Sequence, residues 1–161
     1  MPGAFTSNFV PVAGTLNVMT AFRLKYLPMI HALVICKNEL FFRCIEPLVN
    51  LHGIYFSALY TEPEKAFRDY TALNLHPDVI IVDASWNSHP NFHISDISGF
   101  LKANAAQKLI MVTTFYEEII VAKVKDIGAD GYFYRNTHSV ESIVACIKAV
   151  HRGDRFLAQA S

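Results

Sequence analysis

The chain has 161 residues, of which 52% are hydrophobic and 17% charged, and its 14 basic and 14 acidic residues give a net charge of 0. This composition excludes a disordered chain and indicates one globular domain with a well-buried core. A neutral chain lacks the basic surface that nucleic-acid binding requires, and no apolar run approaches the roughly 20 residues of a membrane-spanning helix.

The cysteine content indicates the compartment in which the chain works. Cys36, Cys44 and Cys146 are an odd number, and no two of them have the CxxC spacing of a metal or redox motif. We therefore expect free thiols in the reducing environment of the cytoplasm. The first residues contain no basic segment ahead of an apolar stretch, so a secretory signal is not expected.

Strands and helices are predicted to alternate along the chain after an N-terminal arm. Residues 1–28 contain no catalytic motif and form this arm, whose structure the pattern does not define. The domain proper extends over residues 29–157, and residues 158–161 are a tail or the start of a linker. The strands are predicted at 29–35, 54–59, 79–83, 108–113 and 130–134, and the helices at 39–51, from 61 to about 73, at 94–103, 117–127 and from 139 to about 153.

Local signals predict how two of the helices begin and which faces three of them bury. Thr61 and Glu64 have the spacing of a capping box, and Ser139 is predicted to cap the last helix. Pro47 is expected to bend or weaken the first helix, because its nitrogen has no hydrogen to donate to residue 43. The side chains expected to face the core are Leu40, Phe41, Ile45, Leu48 and Val49 in the first helix, Ala66, Phe67, Tyr70 and Leu73 in the second, and Ile143, Val144, Ile147 and Val150 in the last.

The alternation predicts an α/β domain with a doubly wound parallel sheet of five strands and helices on both faces. Its clearest strand is the run Val-Ile-Ile-Val-Asp at 79–83, because a continuous apolar run is typical of a strand buried on both faces. In such sheets ligands bind at the carboxyl ends of the strands. Asp83, which ends this run, is therefore the first candidate for a functional residue.

Chemically useful side chains also follow three other predicted strands. Thr113 ends the fourth strand, Arg135 follows the fifth, and Cys36 and Lys37 follow the first. Because the carboxyl ends of parallel strands share one edge of the sheet, we expect these residues near Asp83. A carboxylate, a hydroxyl and a cation together can accept a phosphoryl group, bond its oxygens and offset its charge.

At this point the sequence resembles the receiver domains of two-component response regulators, over about residues 29–157. The segment Gly-Ala-Asp-Gly-Tyr-Phe-Tyr-Arg at 128–135, with the helix that follows it, is similar to the end of receivers in the NarL/FixJ-like group. Residues 77–83 resemble the strand that carries the phospho-acceptor aspartate. The resemblance implies a flavodoxin-like receiver fold with the strand order 2-1-3-4-5.

The resemblance also implies roles for individual residues. Asp83 matches the phospho-acceptor and Thr113 matches the Ser/Thr that binds phosphate and switches. Tyr132 matches the aromatic switch position, three residues before Arg135. Arg135 stands where the family has a lysine, and a planar guanidinium does not reproduce a point ammonium charge.

The acidic pocket of this chain departs from the family. The pair of acids that holds Mg²⁺ in receivers falls on Cys36 and Lys37, neither of which offers a carboxylate. Asp83 and the carbonyl of Ser85 remain as metal ligands, so at most weak Mg²⁺ binding is expected. We expect Lys37 to place its ammonium against Asp83 instead, at the position that the charge of the metal occupies in the family.

These departures favour an atypical receiver that acts in phosphorelay signal transduction through protein–protein contacts, with impaired Mg²⁺-dependent phosphorylation and no enzymatic activity. Its expected partners are a histidine kinase or another signalling protein and a second copy of itself, with no membrane and with DNA bound only through a missing output domain. The alternative is a working receiver that takes a phosphoryl group on Asp83 from a histidine kinase and regulates transcription through an output domain not present in this chain. A third hypothesis, a flavodoxin-like protein that binds a small molecule, lacks support because residues 36–39 contain no Gly-rich phosphate loop.

Overall fold

The computed structural model describes residues 29–84, 94–116, 118–136 and 139–157. The predicted arm, the predicted tail and Ser85 lie outside these residues. The strands are β1 (Ile30–Ile35), β2 (Ile54–Tyr60), β3 (Val79–Asp83), β4 (Lys108–Thr113), β5 (Gly131–Tyr134) and β6 (Phe156–Leu157), and the helices are α1 (Leu40–Asn50), α2 (Pro63–Ala72), α3 (Ile94–Ala103), α4 (Glu118–Asp126) and α5 (Val140–Arg152).

The strands form one parallel sheet in the order β2-β1-β3-β4-β5-β6. The predicted order of five strands is therefore confirmed, and β2 lies at an edge. The sixth strand, β6, was not predicted, because two residues are too short to show a periodic pattern. It joins the sheet through the backbone N–H of Phe156, which donates to the Asp130 carbonyl at 3.0 Å, and pairs with Gly131 and Tyr132 of β5.

Helices cover both faces of the sheet and bury its central strand. All five residues of β3 are buried, as the apolar run predicted. On one face α1 and α5 pack on the sheet, with Phe42 and Ile147 fully buried. On the other face α2, α3 and α4 supply Ala66, Ile97 and Val124. Across the described residues no helix is long and apolar enough to cross a membrane.

The buried face of α1 differs from the predicted one. Phe42, Ile45 and Val49 are buried, whereas Leu40 and Leu48 are 65% and 47% exposed, so their prediction as core residues was wrong. The helix has apolar residues on both faces, and periodicity alone does not choose between them. The choice is made by packing, because the Phe42 ring meets the Phe56 ring of β2 edge to face, with centroids 6.0 Å apart. Pro47 lies inside α1 and the helix continues to Asn50.

The predicted capping box of α2 does not form. The N-cap is Glu62, in an extended conformation and without a side-chain cap, because Pro63 takes the first helical position and leaves Thr61 outside the helix. Ala66 is buried as predicted, but Leu73 is 64% exposed, because it lies just past the last turn of α2.

The start of α5 matches its prediction. The Ser139 hydroxyl accepts a hydrogen bond from the backbone N–H of Ser142 at 3.3 Å. The four side chains predicted to face the core, Ile143, Val144, Ile147 and Val150, are all buried. The helix ends at Gly153, whose positive φ of 96° only glycine adopts readily.

Candidate functional site

A pocket of about 570 Å³ opens at the carboxyl edge of the sheet, where the sequence placed the candidate site. The ends of β3, β4 and β5 meet there, since Asp83 is paired with Val112 and Thr113 with Tyr134. The residues that line it are Lys37, Asn38, Glu39, Thr61, Asp83, Thr114 and Arg135. The fold therefore brings Asp83, Lys37 and Arg135 to one opening, as their positions after the strands predicted.

Asp83 is buried and forms an ion pair with Arg135. Its side chain is 1% exposed, and the guanidinium Nη2 of Arg135 lies 3.4 Å from its Oδ2. The Arg135 side chain is itself only 15% exposed. The backbone places it there, because the N–H of Arg135 donates to the Thr113 carbonyl at 2.9 Å and so extends the β4–β5 pairing by one residue. Little water screens this pair, so the contact is stronger than a surface salt bridge.

Two further contacts hold the Arg135 guanidinium in place. Nη2 donates to the hydroxyl Oγ1 of Thr114 at 2.6 Å. The guanidinium carbon lies 5.4 Å from the centroid of the Phe41 ring, which is the geometry of a cation–π contact. Its Nε is buried and has no hydrogen-bond partner among the described residues. A planar, delocalised cation makes such a stacked and bonded arrangement, and a lysine ammonium does not.

Lys37 does not take the position expected for it. Its side chain is exposed at the rim of the pocket, and among the described residues the cation within 4 Å of Asp83 is Arg135. In the turn after β1, the side-chain oxygen of Asn38 accepts a hydrogen bond from the backbone N–H of Leu40 at 3.0 Å. The hypothesis of a Lys37–Asp83 ion pair is therefore replaced by an Arg135–Asp83 ion pair.

Cys36 is buried beside this carboxylate and keeps its proton. Burial, and then the negative charges of Asp83 and Glu39, raise the pKa of the Cys36 thiol to about 12. A thiol that deprotonates only at such a high pH is a poor nucleophile and a poor metal ligand near neutrality. The pKa shift also means that deprotonation above pH ~9, the pKa of an exposed thiol, favours the unfolded chain.

The described residues do not fit the Mg²⁺ that the resemblance implies. They contain no group of three or more His, Cys, Asp or Glu side chains placed to hold a metal ion. Glu39, which was not among the predicted site residues, also lines the pocket. Its carboxylate accepts a hydrogen bond from Arg43 Nε at 3.1 Å and is therefore already paired with a cation. Asp83 is already in contact with a cation, and a second one beside it would be repelled by the guanidinium.

Thr113 and Tyr132 lie together beneath the pocket. Thr113 is 2% exposed, and its hydroxyl donates to the Phe115 carbonyl at 2.5 Å. The Tyr132 hydroxyl lies 2.8 Å from the same Oγ1. Because the threonine has one hydroxyl hydrogen, the tyrosine is the donor in this second bond. The predicted pair of switch positions is thus in direct contact, with the Tyr132 ring fully buried.

The Thr113–Tyr132 contact predicts the effect of removing one hydroxyl. The change Tyr132→Phe should lower the free energy of unfolding by about 1 kcal/mol, because Oγ1 of Thr113 loses its donor inside the protein. Urea denaturation followed by circular dichroism measures this change. The matched control is Tyr55→Phe, since Tyr55 is 43% exposed and its loss of a hydroxyl should leave stability unchanged. Equal effects of the two variants would contradict the buried bond.

Besides Glu39, three residues that shape the site were not among the predicted site residues. Thr114 had a signal, because it directly follows the strand-end Thr113 and so faces the same edge. Phe41 was predicted as a core residue, and it is partly buried and packs on the Arg135 guanidinium. Thr61 was interpreted as part of a helix cap, and it lines the pocket instead. The last two positions depend on contacts between elements distant in sequence, which local patterns do not contain.

No protein-family model matches the sequence, and no curated protein matches it. Its structure is similar to that of a two-component response regulator of the LuxR family from Aurantimonas sp. SI85-9A1, at 18% identity over 80% of this chain and 89% of that one, with a TM-score of 0.67. A DNA-binding response regulator of the LuxR family from Staphylococcus aureus is 21% identical over 76% and 99% of the two chains, with a TM-score of 0.63. The response regulator domain of Thermotoga maritima CheB is 18% identical over 77% and 97%, with a TM-score of 0.60. The chain therefore has the flavodoxin-like fold of response-regulator receiver domains.

Proposed function

We propose that the chain is an atypical receiver domain of two-component signalling, which works through protein–protein contacts and not through Mg²⁺-dependent phosphorylation of Asp83. The observation that supports this function best is the buried ion pair between Asp83 and Arg135. In this proposal the domain has no catalytic activity of its own, requires no cofactor and acts in the cytoplasm.

The ion pair opposes phosphorylation by occupying the acceptor. Transfer of a phosphoryl group needs an exposed carboxylate oxygen and a cation that offsets charge on the transferred oxygens. Here Asp83 is 1% exposed and its Oδ2 faces a guanidinium that Thr114 and Phe41 hold in place. A phosphate on Asp83 would have to displace Arg135 from these contacts, without a metal to replace its charge.

The proposed partners are a histidine kinase or another signalling protein, a second copy of the chain, and DNA only through an output domain outside it. The similarity to LuxR-family response regulators supports partners of this kind. A surface for them lies next to the site, because Phe115 and Ile119, 62% and 72% exposed, flank the start of α4. Phe115 lies two residues after Thr113, so a partner on this surface would contact the segment whose carbonyl accepts the Thr113 hydroxyl.

The test of this function is labelling of the full chain with acetyl phosphate and Mg²⁺. We expect no phosphorylated species in the intact mass, because Arg135 occupies the acceptor and the acids for Mg²⁺ are absent from positions 36 and 37. A receiver that retains both acids, treated in the same reaction, is the positive control. Stoichiometric labelling that requires Mg²⁺ and disappears in Asp83→Asn would overturn the proposal.

The second candidate function is a receiver that accepts phosphate on Asp83 from a histidine kinase and regulates transcription through an output domain. The contact between Thr113 and Tyr132 favours it, because the two switch positions of a working receiver are retained and touch each other. Under this function beryllofluoride with Mg²⁺ would shift the NMR signals of both residues. An unchanged spectrum would leave the first function standing.

A further inference from the structure

Helix α1 exposes an apolar surface that its position in the fold does not explain. We call it the outer stripe, and it consists of Leu40, Cys44, Pro47, Leu48 and the residue after the helix, Leu51. The three leucines are 65%, 47% and 64% exposed. The opposite side of the helix is buried in the core, so α1 is apolar on both sides. This pattern is typical of a helix that is covered on both sides.

We propose that residues 1–28 of the same chain dock on the outer stripe. The point where they enter the fold supports this occupant. The backbone N–H of Ile30 donates to the Gly53 carbonyl at 2.8 Å. Gly53 is two residues after Leu51, the last residue of the outer stripe, so the chain enters β1 close to that end of the stripe. Helix α1 is about 16 Å long at 1.5 Å per residue, a distance that about five extended residues span.

The composition of residues 1–28 gives a second reason. Fifteen of these 28 residues are hydrophobic, and Arg23 and Lys25 are the two that carry a charge. Segments that stay in water have few apolar residues and many charges, so this composition favours burial against an apolar surface. The outer stripe lies close to the end of this segment, because Ile30 bonds to Gly53, two residues after Leu51.

Cys44 provides a probe of this contact in the full chain. It lies in the middle of the outer stripe and is exposed toward the proposed docking face, whereas Cys36 and Cys146 are buried with thiol pKa values raised to about 12. A thiol reagent such as 5,5′-dithiobis(2-nitrobenzoate) at mildly alkaline pH should therefore report on Cys44 alone. If residues 1–28 cover the stripe, Cys44 reacts about tenfold more slowly in the native chain than in a chain whose docking is disrupted.

Two variants test which segment and which surface are involved. Phe22→Asp, in the docking segment, and Leu51→Asp, on the stripe, should each restore fast labelling of Cys44. The matched control is Leu73→Asp, because Leu73 and Leu51 are both C-cap residues and both 64% exposed, on different helices. We expect Cys44 to react as slowly in Leu73→Asp as in the native chain. Phe22→Asp acts from outside α1, so its result does not depend on how α1 tolerates a charge.

The protein concentration separates this proposal from coverage by a second copy. Protection of Cys44 by residues 1–28 of the same chain stays constant on dilution, in a species that light scattering shows to be a monomer. Protection that is lost on dilution would overturn the proposal in favour of a dimer through the stripe. Fast labelling of Cys44 in the native chain, equal to that of Phe22→Asp, would overturn it by showing an open stripe.

Discussion

Replacing Arg135 with methionine is expected to lower the free energy of unfolding by about 3 kcal/mol. Methionine keeps much of the apolar contact with Phe41 but removes the cation that lies 3.4 Å from the buried Asp83 carboxylate. Breaking a buried ion pair by removing one partner costs about 3–5 kcal/mol, and the partial exposure of Arg135 places this case at the lower end. Urea denaturation followed by circular dichroism measures the loss.

The same measurement on Asp83→Asn and on the double variant completes a mutant cycle. We expect a coupling energy of about 1–3 kcal/mol between the two residues, because loss of the Arg135 cation leaves no unpaired buried charge when position 83 is already neutral. The control is Arg152→Met, whose ion pair with Asp154 has side chains 63% and 60% exposed and should contribute little. If the Arg135 and Arg152 variants lose the same stability, the ion pair at the site is not the stabilising contact that its burial indicates.

Replacing Phe42 with alanine is expected to lower the free energy of unfolding by about 3–5 kcal/mol, the usual cost of truncating a buried phenylalanine. Phe42 is fully buried and packs on Phe56, so its removal leaves a cavity between α1 and the sheet. Chemical denaturation measures this loss, with Leu73→Ala as a control because Leu73 is 64% exposed. A small effect of Phe42→Ala beside a large effect of Leu40→Ala would mean that α1 presents the face predicted from its sequence.

The two predictions concern the same part of the molecule. The face of α1 that buries Phe42 also places the neighbouring Phe41 ring against the Arg135 guanidinium. Rotation of α1 toward the predicted face would bury Leu40 and move Phe41 away from this contact. The packing of α1 therefore helps to decide which cation lies against Asp83.

Much of the fold was predictable because its signals are local. The buried run of β3, the order of strands and helices, and the cap of α5 at Ser139 all depend on residues close together in the sequence. The candidate site at the strand ends followed from the same information, since parallel strands must end at one edge. Even the departure from the family at Cys36 and Lys37 was visible in the sequence as the absence of two carboxylates.

The sequence by itself therefore determined a doubly wound α/β domain with Asp83, Thr113 and Arg135 at one edge of its sheet. Only the tertiary structure decided that Arg135 and not Lys37 pairs with Asp83, which face of α1 is buried, and that residues 156–157 add a sixth strand. Local patterns arise from the spacing of residues along one element. These three outcomes depend on where side chains from distant elements meet, and only the packed core specifies that.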